Sequence, residues 1–238
     1  MISHKFKCIY VHIPKTAGSS IELFFEEYPK EQHVLGTKCI QTYGKTKWDN
    51  YFKFSFVRNP WDRLVSWFLW INRKNFYYDW QQESGFGGWD LKTEWGKDGG
   101  HPRVEPSWYL DLKSDFKKFI YSIEDTKNKD DYNLKDIKNA TKGKWIASQS
   151  TWLKNARGKI AVDFIGKFEN LEEDFKKICK KLNLEEDPLP LSKVLHNRPH
   201  YSQFYEKRTR DKVAKLYSDD IETFKYEYEL KDEIQHKL

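Results

Sequence analysis

The chain has 238 residues, with 42 Lys and Arg against 36 Asp and Glu for a net charge of +6, and 10 Trp, 14 Tyr and 16 Phe offset a hydrophobic share of only 38%. This length suits one domain over 1–238 with a core that needs no disulfide or metal staple, and the aromatic content argues against a globally disordered chain. A basic excess this small, interleaved with acids, argues against nucleic acid as a partner.

In chain order, Phe6 to Ile13 reads as a strand that ends at Pro14. After the loop Lys15 to Gly18, the residues Ile21, Phe24, Phe25 and Tyr28 fall at i, i+3, i+4 and i+7, one apolar face of a helix that Pro29 stops. A second strand, Tyr51 to Val57, sets Phe52, Phe54 and Phe56 on one face. Arg58-Asn59-Pro60 then opens a helix carrying Leu64, Val65, Phe68 and Leu69, with Asn59 as N-cap, Pro60 at the first position and Asp62 in the positive first turn. Over 72–108 the periodicity stops, and half of the 12 glycines gather with Trp80, Trp89, Trp95 and Trp108 in a long irregular insertion. Such stretches inside a domain are usually functional or disordered. Ser114 caps a helix with Phe116, Phe119 and Ile120, and 125–144 reads as a mobile charged segment. Ile160 to Phe168 is a further strand, and Asn170 starts a helix in which Leu171, Phe175, Ile178, Cys179 and Leu182 recur at helical spacing. Pro188 and Pro190 break the chain before one or two last helices, the clearer one facing inward with Val213, Leu216 and Tyr217. Alternating strands and helices predict an α/β fold, a mainly parallel central sheet flanked by helices.

Cys8, Cys39 and Cys179 form no CxxC pair, which favours a reducing compartment. The short apolar run near the N-terminus contains His12 and reads neither as a signal-peptide core nor as a membrane span. The expected location is cytoplasmic.

Two strand-to-helix junctions carry candidate chemistry. The first places Lys15, Thr16, Ala17, Gly18, Ser19 and Ser20 between a buried strand and a helix N-terminus, where N–H groups and the helix dipole favour an anion. Gly18 lets the backbone approach closely, Lys15 adds a full charge, and Thr16, Ser19 and Ser20 can donate to phosphate oxygens. The triphosphatase pattern GxxxxGK[ST] is absent, because this lysine precedes the small residues and no glycine lies upstream. An ordinary turn with a solvated lysine is the plain alternative. At the second junction Arg58 can grip a phosphate through its bidentate fork, with Ser66 roughly 9–10 Å along the helix at about 1.5 Å per residue. Against that, Arg58 can pair with Asp62, or Asp62 with Ser66 or Arg63. Two anion sites on neighbouring strands suit a ligand with two phosphate groups.

The stretches His12-Ile-Pro-Lys-Thr-Ala-Gly-Ser-Ser20 and Phe56-Val-Arg-Asn-Pro-Trp-Asp-Arg-Leu-Val-Ser66 resemble the two cofactor motifs of sulfotransferases that use 3′-phosphoadenosine 5′-phosphosulfate (PAPS). They are most similar to the branch of bacterial sulfotransferases and Golgi heparan sulfate 6-O-sulfotransferases, whose first motif has a His-Ile-x-Lys-Thr-Gly-Gly-Thr-Thr form. Asp163-Phe-Ile-Gly-Lys-Phe-Glu-Asn-Leu-Glu-Glu-Asp-Phe175 resembles the downstream Phe-Glu-Asn-Leu region of that branch. The resemblance implies a central sheet like that of P-loop kinases and in-line transfer of a sulfuryl group from PAPS to an acceptor hydroxyl, of a carbohydrate in that branch. It implies that Lys15, Thr16, Ala17, Gly18, Ser19 and Ser20 hold the 5′-phosphosulfate, with Lys15 neutralising the leaving oxygen. Arg58 and Ser66 would hold the 3′-phosphate, and no metal is required. Ala17 stands where the family more usually has glycine, a change that costs little at negative φ and puts the loop's shape in doubt at positive φ.

Seven histidines are candidates for the base that takes the acceptor's proton. His12 lies in the first strand and reads as packed, while His4 and His236 lie near the ends. His33, upstream of Trp48-Asp49-Asn50-Tyr51-Phe52, resembles in position the histidine taken as base in related sulfotransferases and is the first choice; His101 and Glu22 follow. The tryptophans of 72–108 can stack on sugar rings, which makes the insertion the expected acceptor side, or can be buried beneath it. Arg198, His200 and Tyr201 are candidates for the 3′-phosphate or adenine pocket. The competing classes are a nucleotide-dependent kinase, with Ile160 to Asp163 as a weak Walker B strand, and a non-catalytic glycan-binding module.

Overall fold

Strand β1 (Ile2–Ser3) folds back antiparallel on β2 (Cys8–Tyr10), with Ile2 opposite Ile9. The computed structural model that shows this describes residues 1–26, 34, 36–71, 116–127, 146–190 and 199–230. The expected strand from Phe6 to Ile13 is therefore shorter, because residues 6 and 7 serve the turn, where Lys7 takes a φ of 50°. Val11 extends the ladder by donating to the Phe54 carbonyl at 2.9 Å. Strand β2 runs parallel to β3 (Phe52–Val57), and β3 parallel to β4 (Phe164–Lys167), in the order β1-β2-β3-β4. The result is a mixed α/β fold whose described residues form a mostly parallel four-stranded sheet. The last strand is also shorter than expected: Ile160 pairs separately with Lys154, and Phe168 already belongs to a 3-10 turn, Phe168–Asn170.

Helix α1 (Gly18–Phe24) stops sooner than the apolar spacing predicts, since Glu26 turns left-handed at φ 52°, and Tyr28 and Pro29 lie outside the described residues. Two short helices follow, α2 (Gly36–Tyr43) and α3 (Lys45–Asn50). Helix α4 (Pro60–Ile71) begins where its cap predicts, Asn59 Oδ1 accepting the N–H groups of Trp61 at 3.1 Å and Asp62 at 3.5 Å. Helix α5 (Phe116–Lys127) takes residues 125–127 out of the expected charged segment; the remainder of it, like Ser114 and the insertion 72–108 with its four tryptophans, lies outside the described residues. Beyond α6 (Gln149–Leu153) comes α7 (Leu171–Leu182), with acids at 172–174 and Lys180 and Lys181 in its last turn, each complementing the helix dipole. The pair α8 (Lys207–Leu216) and α9 (Ser218–Phe224) closes the described helices.

Helices cover both faces of the sheet. Tyr10, Phe54 and Phe56 pack with Ile21 of α1, Phe25 just beyond it, and Phe175 and Ile178 of α7 on one side. Ile9, Val11, Ile13 and Val57 meet Trp48, Trp152, Leu153 and Phe224 on the other. Because β3 is enclosed twice, its buried Ser55 needs a partner, and its hydroxyl donates to the Val11 carbonyl at 2.6 Å. A third cluster joins α4, α5 and α8 through Leu64, Phe68, Phe119, Ile120 and Val213. All three cysteines are buried and no disulfide joins them; burial pushes the Cys39 thiol up to about 12. No helix among the described residues is long and apolar enough to cross a membrane.

One contact ties β3 to β4 closely. Gly166 sits opposite Phe56, whose ring covers it so tightly that an added Cβ would lie 2.4 Å from Phe56 Cε1. Gly166→Ala is expected to lower the unfolding free energy by about 1–3 kcal/mol, the usual cost of overpacking. Urea denaturation measures it, and an unchanged midpoint would mean that the ring yields freely.

Candidate functional site

Loops leaving the carboxyl ends of parallel strands meet at one edge of the sheet, where α/β folds bind their ligands. Three do so here: 11–17 after β2, 58–59 after β3 and 168–170 after β4.

The first loop is contorted. Lys15 and Ala17 have φ of 71° and 70°, and Thr16 between them has none of that sign. Alternating φ signs can curl successive N–H groups toward one point, as in an anion-binding nest. Each non-glycine residue in this conformation costs roughly 1–2 kcal/mol, and such strain gathers at functional sites. The negative φ that would make Ala17 a harmless replacement for glycine is therefore not found; alanine takes the left-handed shape and bears the strain.

Several contacts hold the loop. The buried Thr16 hydroxyl, which the sequence offered to phosphate oxygens, donates instead to the Ile13 carbonyl at 2.8 Å. Ser20 and Ile21 donate their N–H groups to the Ala17 carbonyl at 3.0 and 3.2 Å. Lys15 and Ser19 are half-buried, and Ser20 is buried. Gly18 opens α1 against the His12 ring, where an added Cβ would lie 1.8 Å from Nε2. That ring is itself fixed, because Nδ1 meets Glu22 Oε1 at 2.8 Å and one face stacks on Tyr10 with centroids 5.5 Å apart. His12 is thus the packed histidine its position suggested, and Glu22 supports the loop from beneath.

In the second loop Arg58 touches all three segments. Its Nε and Nη2 each approach Asp62 Oδ2 at 2.7 Å, Nη1 donates to the Lys15 carbonyl at 3.2 Å, and the guanidinium lies 3.8 Å over the Phe168 ring. The Asp62 pairing that the sequence left open is present, and it orients the fork. The Arg58 backbone is clasped by Gln149, which accepts its N–H at 2.8 Å and donates to its carbonyl at 2.7 Å. Glu169 accepts the Asn59 N–H at 2.6 Å and the Tyr226 hydroxyl at 2.9 Å. Burial raises the Glu169 carboxyl above its ordinary value, while these donors and Arg58 pull it back. Ser66 is half-buried along α4.

Two further sequence candidates, His200 and Tyr201, fall within the described residues. His200 Nδ1 pairs with the Ser202 hydroxyl at 2.8 Å and caps the short turn Tyr201–Phe204. Tyr201 is buried, and its hydroxyl accepts the Glu229 N–H at 2.7 Å. His33, His101 and Arg198 lie outside the described residues. Sequence reasoning missed Arg63, Gln149, Phe168 and Glu169 as site builders. For Phe168 and Glu169 the signal existed, in the Phe-Glu-Asn-Leu stretch; for Gln149 there was none. Among the described residues no group of His, Cys, Asp and Glu could hold a metal ion.

Comparison with known proteins gives the family. Residues 1–227 match the model of the sulfotransferase family, and the chain belongs to that family. Its class of reaction is therefore sulfuryl transfer, between a small-molecule donor and an acceptor. The chain is also 29% identical over 146 residues, 60% of its length and 78% of the relative's, to an uncharacterized protein of Archaeoglobus fulgidus. No solved structure matches it.

Proposed function

We propose that this protein transfers the sulfuryl group of PAPS to an acceptor hydroxyl, with the donor seated at the carboxyl edge of the sheet. The observation that carries the reading is the left-handed loop at Lys15 and Ala17 lying within hydrogen-bond reach of Arg58, which puts two anion-binding elements side by side. The residues fit the donor: Thr16, Ala17, Gly18, Ser19 and Ser20 hold its 5′-phosphosulfate, and Arg58 and Ser66 its 3′-phosphate. The Lys15 ammonium stabilises the charge that grows on the leaving phosphate oxygen. The bond from sulfur to that oxygen breaks as one from sulfur to the acceptor oxygen forms, and His33 takes the acceptor's proton. The reading extends to a single domain over 1–238 with a P-loop-kinase-like sheet, the insertion 72–108 on the acceptor side, a carbohydrate as acceptor, no metal requirement and a cytoplasmic location.

Thermal denaturation with adenosine 3′,5′-bisphosphate tests the donor site without knowledge of the acceptor. A raised midpoint, larger than with AMP, is expected. Magnesium-dependent ATP turnover with no response to the bisphosphate would replace this reading with a kinase, and labelled sulfate appearing on an acceptor excludes a pure glycan-binding module. His33→Ala is expected to lower turnover by about 10²-fold with donor affinity intact; full activity would move the base elsewhere.

A further inference from the structure

Two neighbouring carbonyls of the strained loop accept hydrogen bonds from two arginines. Arg63 Nε donates to Pro14 at 3.1 Å, and Arg58 Nη1 to Lys15 at 3.2 Å. Arg63 continues through Nη1 to the Ala147 carbonyl at 3.1 Å. Two residues on, Gln149 clasps the Arg58 backbone in both directions. The path therefore closes on itself: loop, Arg63, segment 147–149, Arg58, loop.

The segment 147–149 is rigidly seated. Asp220, fully buried, accepts the N–H groups of Gln149 at 2.7 Å and Ser150 at 2.8 Å, and the Tyr217 hydroxyl donates to the Ile146 carbonyl at 2.8 Å. Gln149 is also fully buried, and Arg63 is 3% exposed. A guanidinium is an expensive group to bury, and burial pulls the Arg63 charge toward release while Tyr217 and Asp220 counter it. An apolar side chain would fill the same space at lower cost but could not reach two carbonyls at once.

We propose that Arg63 is a positioning residue for donor binding: its guanidinium closes a ring of hydrogen bonds that holds residues 14–17 in a shape with Lys15 and Ala17 left-handed, so that the loop's N–H groups are aimed before the donor arrives. The consequence for binding rests on the PAPS reading above; the hold on the loop does not. Preorganisation of this kind raises affinity by removing an ordering cost that would otherwise fall on the ligand.

The test is a double-mutant cycle on the full chain, read by calorimetric titration with adenosine 3′,5′-bisphosphate. Arg63→Lys keeps the charge and loses the fork, and it is expected to weaken binding by about tenfold or more. Adding Ala17→Gly, which lets residue 17 take its φ without strain, is expected to recover about threefold or more of that loss, so the two changes do not add. Wild-type affinity in Arg63→Lys, or a loss that Ala17→Gly leaves unaltered, overturns the proposal. If Arg63→Lys does not fold, Gln149→Glu, which loses the donor to the Arg58 carbonyl, goes through the same cycle with the same two outcomes. Should the wild-type chain not bind the bisphosphate, the donor reading has failed, and the ring is judged by amide hydrogen exchange at residues 15–18 in the nucleotide-free chain. Faster exchange in Arg63→Lys then supports the hold on the loop, and unchanged exchange overturns it.

Discussion

Lys15→Ala is expected to lower turnover by about 10²–10³-fold, the scale on which one donor to a developing oxyanion is felt, and to weaken donor binding as well. The backbone makes this a clean substitution. Lys15 holds its φ of 71° while its carbonyl accepts from Arg58, and alanine bears that conformation no better and no worse than lysine. What disappears is the ammonium, a full charge on a half-buried residue. Single-turnover assays at saturating donor separate the catalytic loss from the binding loss, and Lys15→Arg, which restores charge without its position, is expected to recover only part of the rate. A rate within a factor of about three of wild type would remove Lys15 from the chemistry.

Gly18→Ala is the second large effect, and it works through packing. Its Cβ would lie 1.8, 2.1 and 2.3 Å from three atoms of the His12 ring. The ring has nowhere to go, since Glu22 holds Nδ1, Tyr10 covers one face and the residue is buried. The start of α1 must therefore lift from the sheet, taking Ser19 and Ser20 with it. The stability loss is expected at about 3 kcal/mol, the upper part of the overpacking range, with donor binding lost beyond what that destabilisation explains. Thermal denaturation and bisphosphate titration measure the two parts. His12→Ala placed on Gly18→Ala should restore stability by removing the obstacle; a double variant no more stable than Gly18→Ala would mean that the clash is not the cause.

Local signals made much of this fold legible in the sequence. Phe52, Phe54 and Phe56 alternate, and Asn59-Pro60 announces a helix start in two residues, so β3, the junction after it and α4 were readable without a structure. Where a local signal was missing, so was the reading. Lys7 takes a left-handed φ without being glycine, which hid the β1–β2 hairpin, and the same is true of Ala17, whose strain nothing in its identity reveals. The motif residues Lys15 to Ser20 and Arg58 were visible because they follow strands; the groups that hold them in place were not. Gln149 reaches Arg58 across 91 residues of chain, and Glu169 reaches Asn59 across 110, distances over which no periodicity speaks. Asp62 was weighed as a rival to phosphate for Arg58, and it does pair with that guanidinium, whose face lies on Phe168.

The most distant of these links joins the Asn59 side-chain amide to the Glu227 carbonyl at 2.9 Å, across 168 residues. A ribosome adds residues one at a time, and domains generally fold as units once enough chain has emerged. Strands β2 and β3 can pair early in synthesis, but the Asn59 side chain gains this partner only when residue 227 has emerged. A nascent chain interrupted before that point would hold paired strands while the turn after β3 still lacked its last anchor, so the order of synthesis leaves this junction to be fastened at the end.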